Sequence, residues 1–150
     1  LRILGLIALK PDLASLSEPY LELMPLPYRE AHELIIGKHV PGSPLQASNE
    51  EVREIVNFAS LRSGVEFVDF EEGQLEVELK NLLRELQYEH LKQLRDKTGR
   101  LVLQAEQIGD EKELLEQLTQ LDGIVKKLHN LKNNQNAKKE VKEEETQKNR

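Results

Sequence analysis

Four histidines, His32, His39, His90 and His129, are the residues of this sequence best suited to hold a metal or move a proton. His32 and His39 stand seven apart, with Glu30 and Glu33 beside the first as possible oxygen ligands. One of the pair falls on a helical pattern and the other in a stretch rich in Pro and Gly, which favours solvated or capping histidines over a metal site. Carboxylate pairs occur at Glu85 with Glu89 and at Glu113 with Glu116, but catalytic carboxylates need a pocket that shifts their pKa. In a chain with 27 acidic residues they are most simply the wet face of a helix. Ser15, Ser17 and Ser60 have no basic partner in the pattern. The 8 glycines are scattered singly and none opens a strand-to-helix phosphate loop. Without cysteine there is no disulfide and no thiolate zinc site. The reading is that of a non-enzyme for these 150 residues, with no catalytic residue, metal or cofactor expected.

Composition narrows the partners. The net charge is -6, and no segment is strongly basic: residues 1–70 hold 6 basic and 10 acidic groups, 71–133 hold 10 and 13, and 134–150 hold 5 and 4. The electrostatic footprint of a nucleic-acid binder is missing, and with 4% aromatics and no tryptophan so is a base-stacking platform. The apolar run 3–9 is too short for a membrane span and lacks a signal-peptide cleavage pattern. Lack of cysteine is compatible with an intracellular origin. A chain opening on Leu1 reads as a fragment of a longer protein.

The elements follow from periodicity and punctuation. Residues 1–9 read as a helix apolar nearly all round, hence central to a core. Pro11 opens a second helix with Leu13, Leu16 and Tyr20 inward, ended or kinked at Pro19. After a connector at 21–26, Ala31, Leu34 and Ile35 give a third helix closed by Gly37. Residues 38–47, with Pro41, Gly42 and Pro44, form a loop. Ser48 and Glu51 make a capping box for a helix whose inner face is Val52, Ile55, Val56 and Ala59, extending to Leu61, with Gly64 at its end. Residues 65–70 alternate like a strand, but a lone strand is unstable. A turn that packs Phe67, Val68 and Phe70 on the bundle is preferred.

Residues 74–131 organise the rest. Leu75, Leu79, Leu82 and Leu86, then Leu91, Leu94, Thr98, Leu101, Ala105 and Ile108, keep the threes and fours of a helix with one buried stripe. Gly99 admits a kink near Thr98. Gly109 can take the left-handed conformation that ends a helix, and Asp110 with Glu113 can cap the next. The rhythm resumes at Leu114, Leu118, Leu121, Val125 and Leu128, so the two segments form a helical hairpin. A helix over 74–108 would be about 50 Å long at about 1.5 Å per residue, so the hairpin should project. Leu115, Ile124 and Leu131 widen the last helix's apolar face beyond a seam, as a docking surface would. From about Asn134 the chain is too polar to bury a face and is expected to be disordered.

These residues resemble a family. The opening Leu1-Arg2-Ile3-Leu4-Gly5-Leu6-Ile7-Ala8-Leu9-Lys10-Pro11-Asp12-Leu13-Ala14 is similar to the start of the C-terminal domain of bacterial DNA primase, the DnaG type. So are the run 79–86, the Gly109-Asp110-Glu111 break and Leu114-Leu115-Glu116-Gln117-Leu118, in that order. The resemblance covers residues 1 to about 132; a charged tail after Leu131 departs from it. It implies a helical bundle followed by a helical hairpin. It also implies a tether to the hexameric replicative helicase, with the hairpin anchored on the helicase's N-terminal domains and the bundle modulating helicase activity. Primase chemistry would reside in domains absent from this chain. A helicase N-terminal domain is a near rival, because the bundle would be similar in fold to it.

The resulting expectation is an all-α protein: a bundle subdomain at 1–70, a long helix and hairpin at 71–132, and a disordered polar tail at 133–150. Its role would be helicase docking at the replication fork in the cytoplasm, without direct nucleic-acid or membrane contact. The candidate contact residues are Leu114, Leu115, Leu118, Leu121, Ile124, Val125, Leu128 and Leu131, some of which must instead face Leu94, Leu101 and Ile108 within the hairpin. Rival readings are a self-associating coiled coil and a metal-dependent hydrolase using His32, His39 and Glu33.

Overall fold

The computed structural model describes residues 1–37 and 50–148. Among these the fold is all helical, with no strand: α1 (Arg2–Leu9), a 3-10 turn (Pro11–Leu13), α2 (Ala14–Ser17), a second 3-10 stretch (Glu18–Leu23), α3 (Leu26–Ile35), α4 (Glu50–Glu66), α5 (Glu72–Ile108) and α6 (Glu111–Lys148). None of the described helices is long and apolar enough to cross a membrane. The loop expected at 38–47 and the cap at Ser48 lie outside the described residues.

Two compact units divide the chain, Leu1–Leu86 and Gln87–Arg150. The first reaches past residue 70, where the sequence reading placed the boundary. Its main core joins Leu6, Leu13, Met24 and Phe67 to Leu79, Leu82 and Leu83 of α5, so the opening turns of the long helix belong to the bundle. A second core joins Leu4, Ala31, Val52 and Ala59. Leu4 and Leu6 sit two positions apart, on nearly opposite sides of α1. That is why this helix is apolar all round: it separates two cores.

The crossing of α1 on α4 depends on Gly5. A Cβ there would stand 2.8 Å from Ser63 Cβ and 2.9 Å from the Ala59 carbonyl oxygen, too close for any larger residue without movement. Arg2 fastens the same end of the bundle. Its Nε lies 2.6 Å from Glu66, a terminal nitrogen lies 2.8 Å from Glu78, and the guanidinium sits 5.7 Å from the Phe67 ring centre.

Several local expectations need correction. The α-helical turn that follows Pro11 does end at Ser17, just before Pro19, as expected; what differs is that Pro19 also stands in the first turn of a 3-10 stretch continuing to Leu23, a position where its missing N–H costs nothing. Helix α4 runs through Gly64 to Glu66, since a glycine inside a helix costs only about 1 kcal/mol. Leu61 faces away from the core and is exposed. In the turn that follows, Phe67 is buried edge-on to Phe70, but Val68 points out. Helix α6 does not stop near Leu131. The segment read as a disordered tail is helical to Lys148; Lys, Glu, Gln and Ala are strong helix formers, so a helix can propagate without an apolar stripe.

Candidate partner-binding surface

The second unit is built around the break between α5 and α6. Gly109 adopts φ +76°, and its N–H donates to the carbonyls of Ala105 and Glu106 while the Asp110 N–H donates to Ala105, closing the end of α5. Asp110 Oδ1 then accepts from the Glu113 N–H at 3.0 Å and caps α6. The reciprocal half of the expected capping box is not formed: Glu113 Oε1 accepts from Gln117 Nε2 at 2.7 Å instead.

A two-residue connection makes the helices antiparallel neighbours, with residues equidistant from it at the same height. On α5 the buried positions recur every seven residues, at Leu91, Thr98 and Ala105, as the sequence reading placed them. On α6 the row is Gln117 and Ile124 buried, with Leu114, Leu121, Leu128 and Leu131 half-buried. This differs by one position from the expected seam through Leu118 and Val125. Both rows keep the threes and fours of a helical stripe, and the polar Gln117 concealed the one the fold uses.

The eight candidate contact residues therefore separate into two groups. Leu114, Leu121, Ile124, Leu128 and Leu131 belong to the row that α6 turns inward. Leu115, Leu118 and Val125 are left outside it, at 68%, 45% and 47% exposure. On α5, Ile108 beside the break is 72% exposed, while Leu94 and Leu101 sit at the edge of the seam.

Among the described residues the structure brings His32 to Ser17 and not to Glu33. His32 is fully buried with Nε2 2.8 Å from Ser17 Oγ, whereas Glu33, the next residue, is exposed on another face and His39 lies outside the described residues. Among the described residues no three metal-ligating side chains gather. Glu85, Glu89, Glu113 and Glu116 are exposed, as are Ser15 and Ser60. The Ser17–His32 pair was not legible beforehand, because fifteen residues separate its members and no local period links them.

The chain matches no family model, no curated protein and no solved structure.

The sequence reading also missed an apolar row on the outer face of α4, formed by Phe58, Leu61 and Val65. Its signal was present in the spacing of three and four. It was masked because the same helix carries a second apolar row, which accounts for the fold.

Proposed function

We propose that this chain is the non-catalytic, helicase-binding region of a bacterial DNA primase. In this reading it docks the parent enzyme on the N-terminal domains of the hexameric replicative helicase, so that primer synthesis keeps pace with unwinding at the fork. Primer synthesis itself belongs to domains outside these residues. The sequence resemblance supports the family, and one observation supports the surface: α6 spends one apolar row on its own hairpin and leaves Leu115, Leu118 and Val125 uncovered beside it.

A helix with one apolar row committed and another free fits the recognition mode in which an apolar face is laid into a partner's groove. The partner's affinity would concentrate on a few side chains, each truncation costing about 2 kcal/mol or more at a hot spot. Co-migration of the chain with the helicase hexamer on size exclusion tests this. Removing residues 110–150, or replacing Leu115 and Leu118 together with Asp, is expected to abolish co-migration while the helical spectrum of the bundle persists. Undiminished binding by both variants would remove α6 as the anchor.

A further inference from the structure

Helix α4 is apolar on two opposite faces. Val52, Ala59 and Ser63 form its buried row, and Phe58, Leu61 and Val65 lie across the helix from them, spaced by three and four. These three are 56%, 74% and 80% exposed, and Val68 in the turn that follows is 72% exposed. Single exposed apolar residues are ordinary, but a helical row of large ones in register forms a patch of the kind that marks an interaction site. The patch lies wholly within the first unit and plays no part in the hairpin reading.

Its ends carry one sign of charge. Glu50, Glu51 and Glu54 precede the row, Asp69 and Glu71 follow it, and all five are exposed. Among the described residues none of the five is in an ion pair. The cations of α4 do not offset them: Arg62 is paired with Glu66, Nε to Oε2 3.0 Å, and Arg53 lies about a quarter-turn to the side. Along α4 the helix from Glu54 to its end at Glu66 is roughly 18 Å long at about 1.5 Å per residue, and it separates the two acidic groups.

That charge pattern decides what covers the row. Two copies of this chain pairing here about a two-fold axis would set acids against acids: Glu54 meets the copy's Asp69 if the helices run antiparallel, and like meets like if they run parallel. Phosphate-bearing surfaces are repelled in the same way. We propose that the outer face of α4 is a docking site for an amphipathic helix of another protein. That helix carries apolar residues at i, i+3 or i+4 and i+7, and lysine or arginine at both ends. Its apolar row lies on Phe58, Leu61 and Val65, while its basic ends meet Glu50, Glu51 and Glu54 on one side and Asp69 and Glu71 on the other.

The test uses the full chain and two labelled synthetic helices that share one leucine row, the first ending in lysines and the second in glutamates. Fluorescence anisotropy is expected to show the lysine-ended helix binding at least about tenfold more tightly, with affinity falling steeply between about 50 and about 200 mM salt. Replacing Leu61 and Val65 together with Asp removes this binding, and Leu118→Asp leaves it unchanged. Because both α4 side chains are exposed, the double variant is expected to keep its helical spectrum. Should it misfold, Glu50→Gln with Glu51→Gln and Glu54→Gln provides the second check, abolishing the preference for the lysine-ended helix. Equal binding of the two helices, binding of neither, or loss of binding in Leu118→Asp overturns the proposal. So does a dimer in sedimentation that Leu61→Asp dissolves, since a second copy then occupies the row.

Discussion

The hydroxyl oxygen of Ser17 and Nε2 of His32 are 2.8 Å apart, and neither side chain has any exposed surface. The spacing is that of a nucleophile and its base, but a pair with no surface cannot meet a substrate. Its effect is structural: it ties the short helix α2 to α3. The Ser17 hydroxyl donates to the Ala14 carbonyl at 2.7 Å, so the ring N–H at Nε2 must donate to Ser17 Oγ. Long-range nitrogen–proton NMR should therefore find His32 as the Nε2–H tautomer. Ser17→Ala removes a buried hydrogen-bond partner and is expected to cost about 1–3 kcal/mol in urea unfolding. An unchanged midpoint together with the Nδ1–H tautomer would show that the two groups do not bond.

Glycine substitutions should have opposite signs in the two units. Gly5→Ala places a Cβ against Ser63 Cβ and the Ala59 backbone oxygen, neither able to move without shifting α4. Overpacking of this kind costs about 1–3 kcal/mol, more than the helix propensity that alanine gains. Gly99→Ala meets nothing within 4 Å and should stabilise by about 0.5–1 kcal/mol. Thermal unfolding of the two variants beside the parent decides the matter, and a stabilised Gly5→Ala would mean that the α1–α4 crossing is looser than described.

Periodicity and punctuation made the helices legible because those signals are local. The Gly109-Asp110 break was readable residue by residue, from a glycine that accepts a positive φ and an acid that caps. The inner row of α5 at Leu91, Thr98 and Ala105 was readable for the same reason. What failed was choice between rows. On α6, Leu118 and Val125 fit the period as well as Gln117 and Ile124 do, and only the position of the other helix selects between them. The extent of the first unit failed likewise, since Leu79, Leu82 and Leu83 join Leu6 and Phe67 through contacts that no local pattern encodes.

A pH effect attaches to Glu76. A hydrogen bond from Lys80 Nζ, and then the charge of Lys80, hold its carboxyl below the ordinary carboxylate range. The folded pKa is below the unfolded one, so the pair's contribution is present above about pH 4.3 and fades as pH falls through the lowered value. Exposed pairs four apart on a helix contribute little in salt. Glu76→Gln is accordingly expected to leave the urea midpoint unchanged at neutral pH and physiological salt, with a slightly shallower acid limb. A large neutral-pH loss would mean that Glu76 has a further partner.

The two residues of the break should separate in their costs. Gly109→Ala forces a Cβ into φ +76° and is expected to cost about 1–2 kcal/mol, with Gly109→Asn milder because asparagine tolerates that conformation. Asp110→Ala removes the acceptor for the Glu113 N–H at a cost of about 0.5–2 kcal/mol, and Asp110→Ser should recover most of it. Chemical denaturation of the four variants orders them. If Asp110→Ser were no better than alanine, the carboxylate would be acting through its charge on the helix end and not as a cap.

Gln117 decides which apolar row of α6 stays exposed. It is 8% exposed, its Nε2 donates to Glu113, and its Oε1 is buried without a partner among the described residues. An unmade buried acceptor costs about 1–3 kcal/mol, while the bond to Glu113 returns only about 0.5–1.5 kcal/mol. Gln117→Leu removes the orphan oxygen and adds apolar burial in a side chain of similar size. The expected outcome is a gain of about 1 kcal/mol, or about 2–4 °C in Tm for a chain of this length. Leu118→Gln, one residue along and 45% exposed, should change stability by less than about 0.5 kcal/mol. The opposite pair of results, loss at Gln117→Leu and loss of about 2 kcal/mol or more at Leu118→Gln, is what a buried leucine at 118 would give. The inward row would then run through Leu118 and Val125, and the proposed helicase docking would lose the exposed row it rests on.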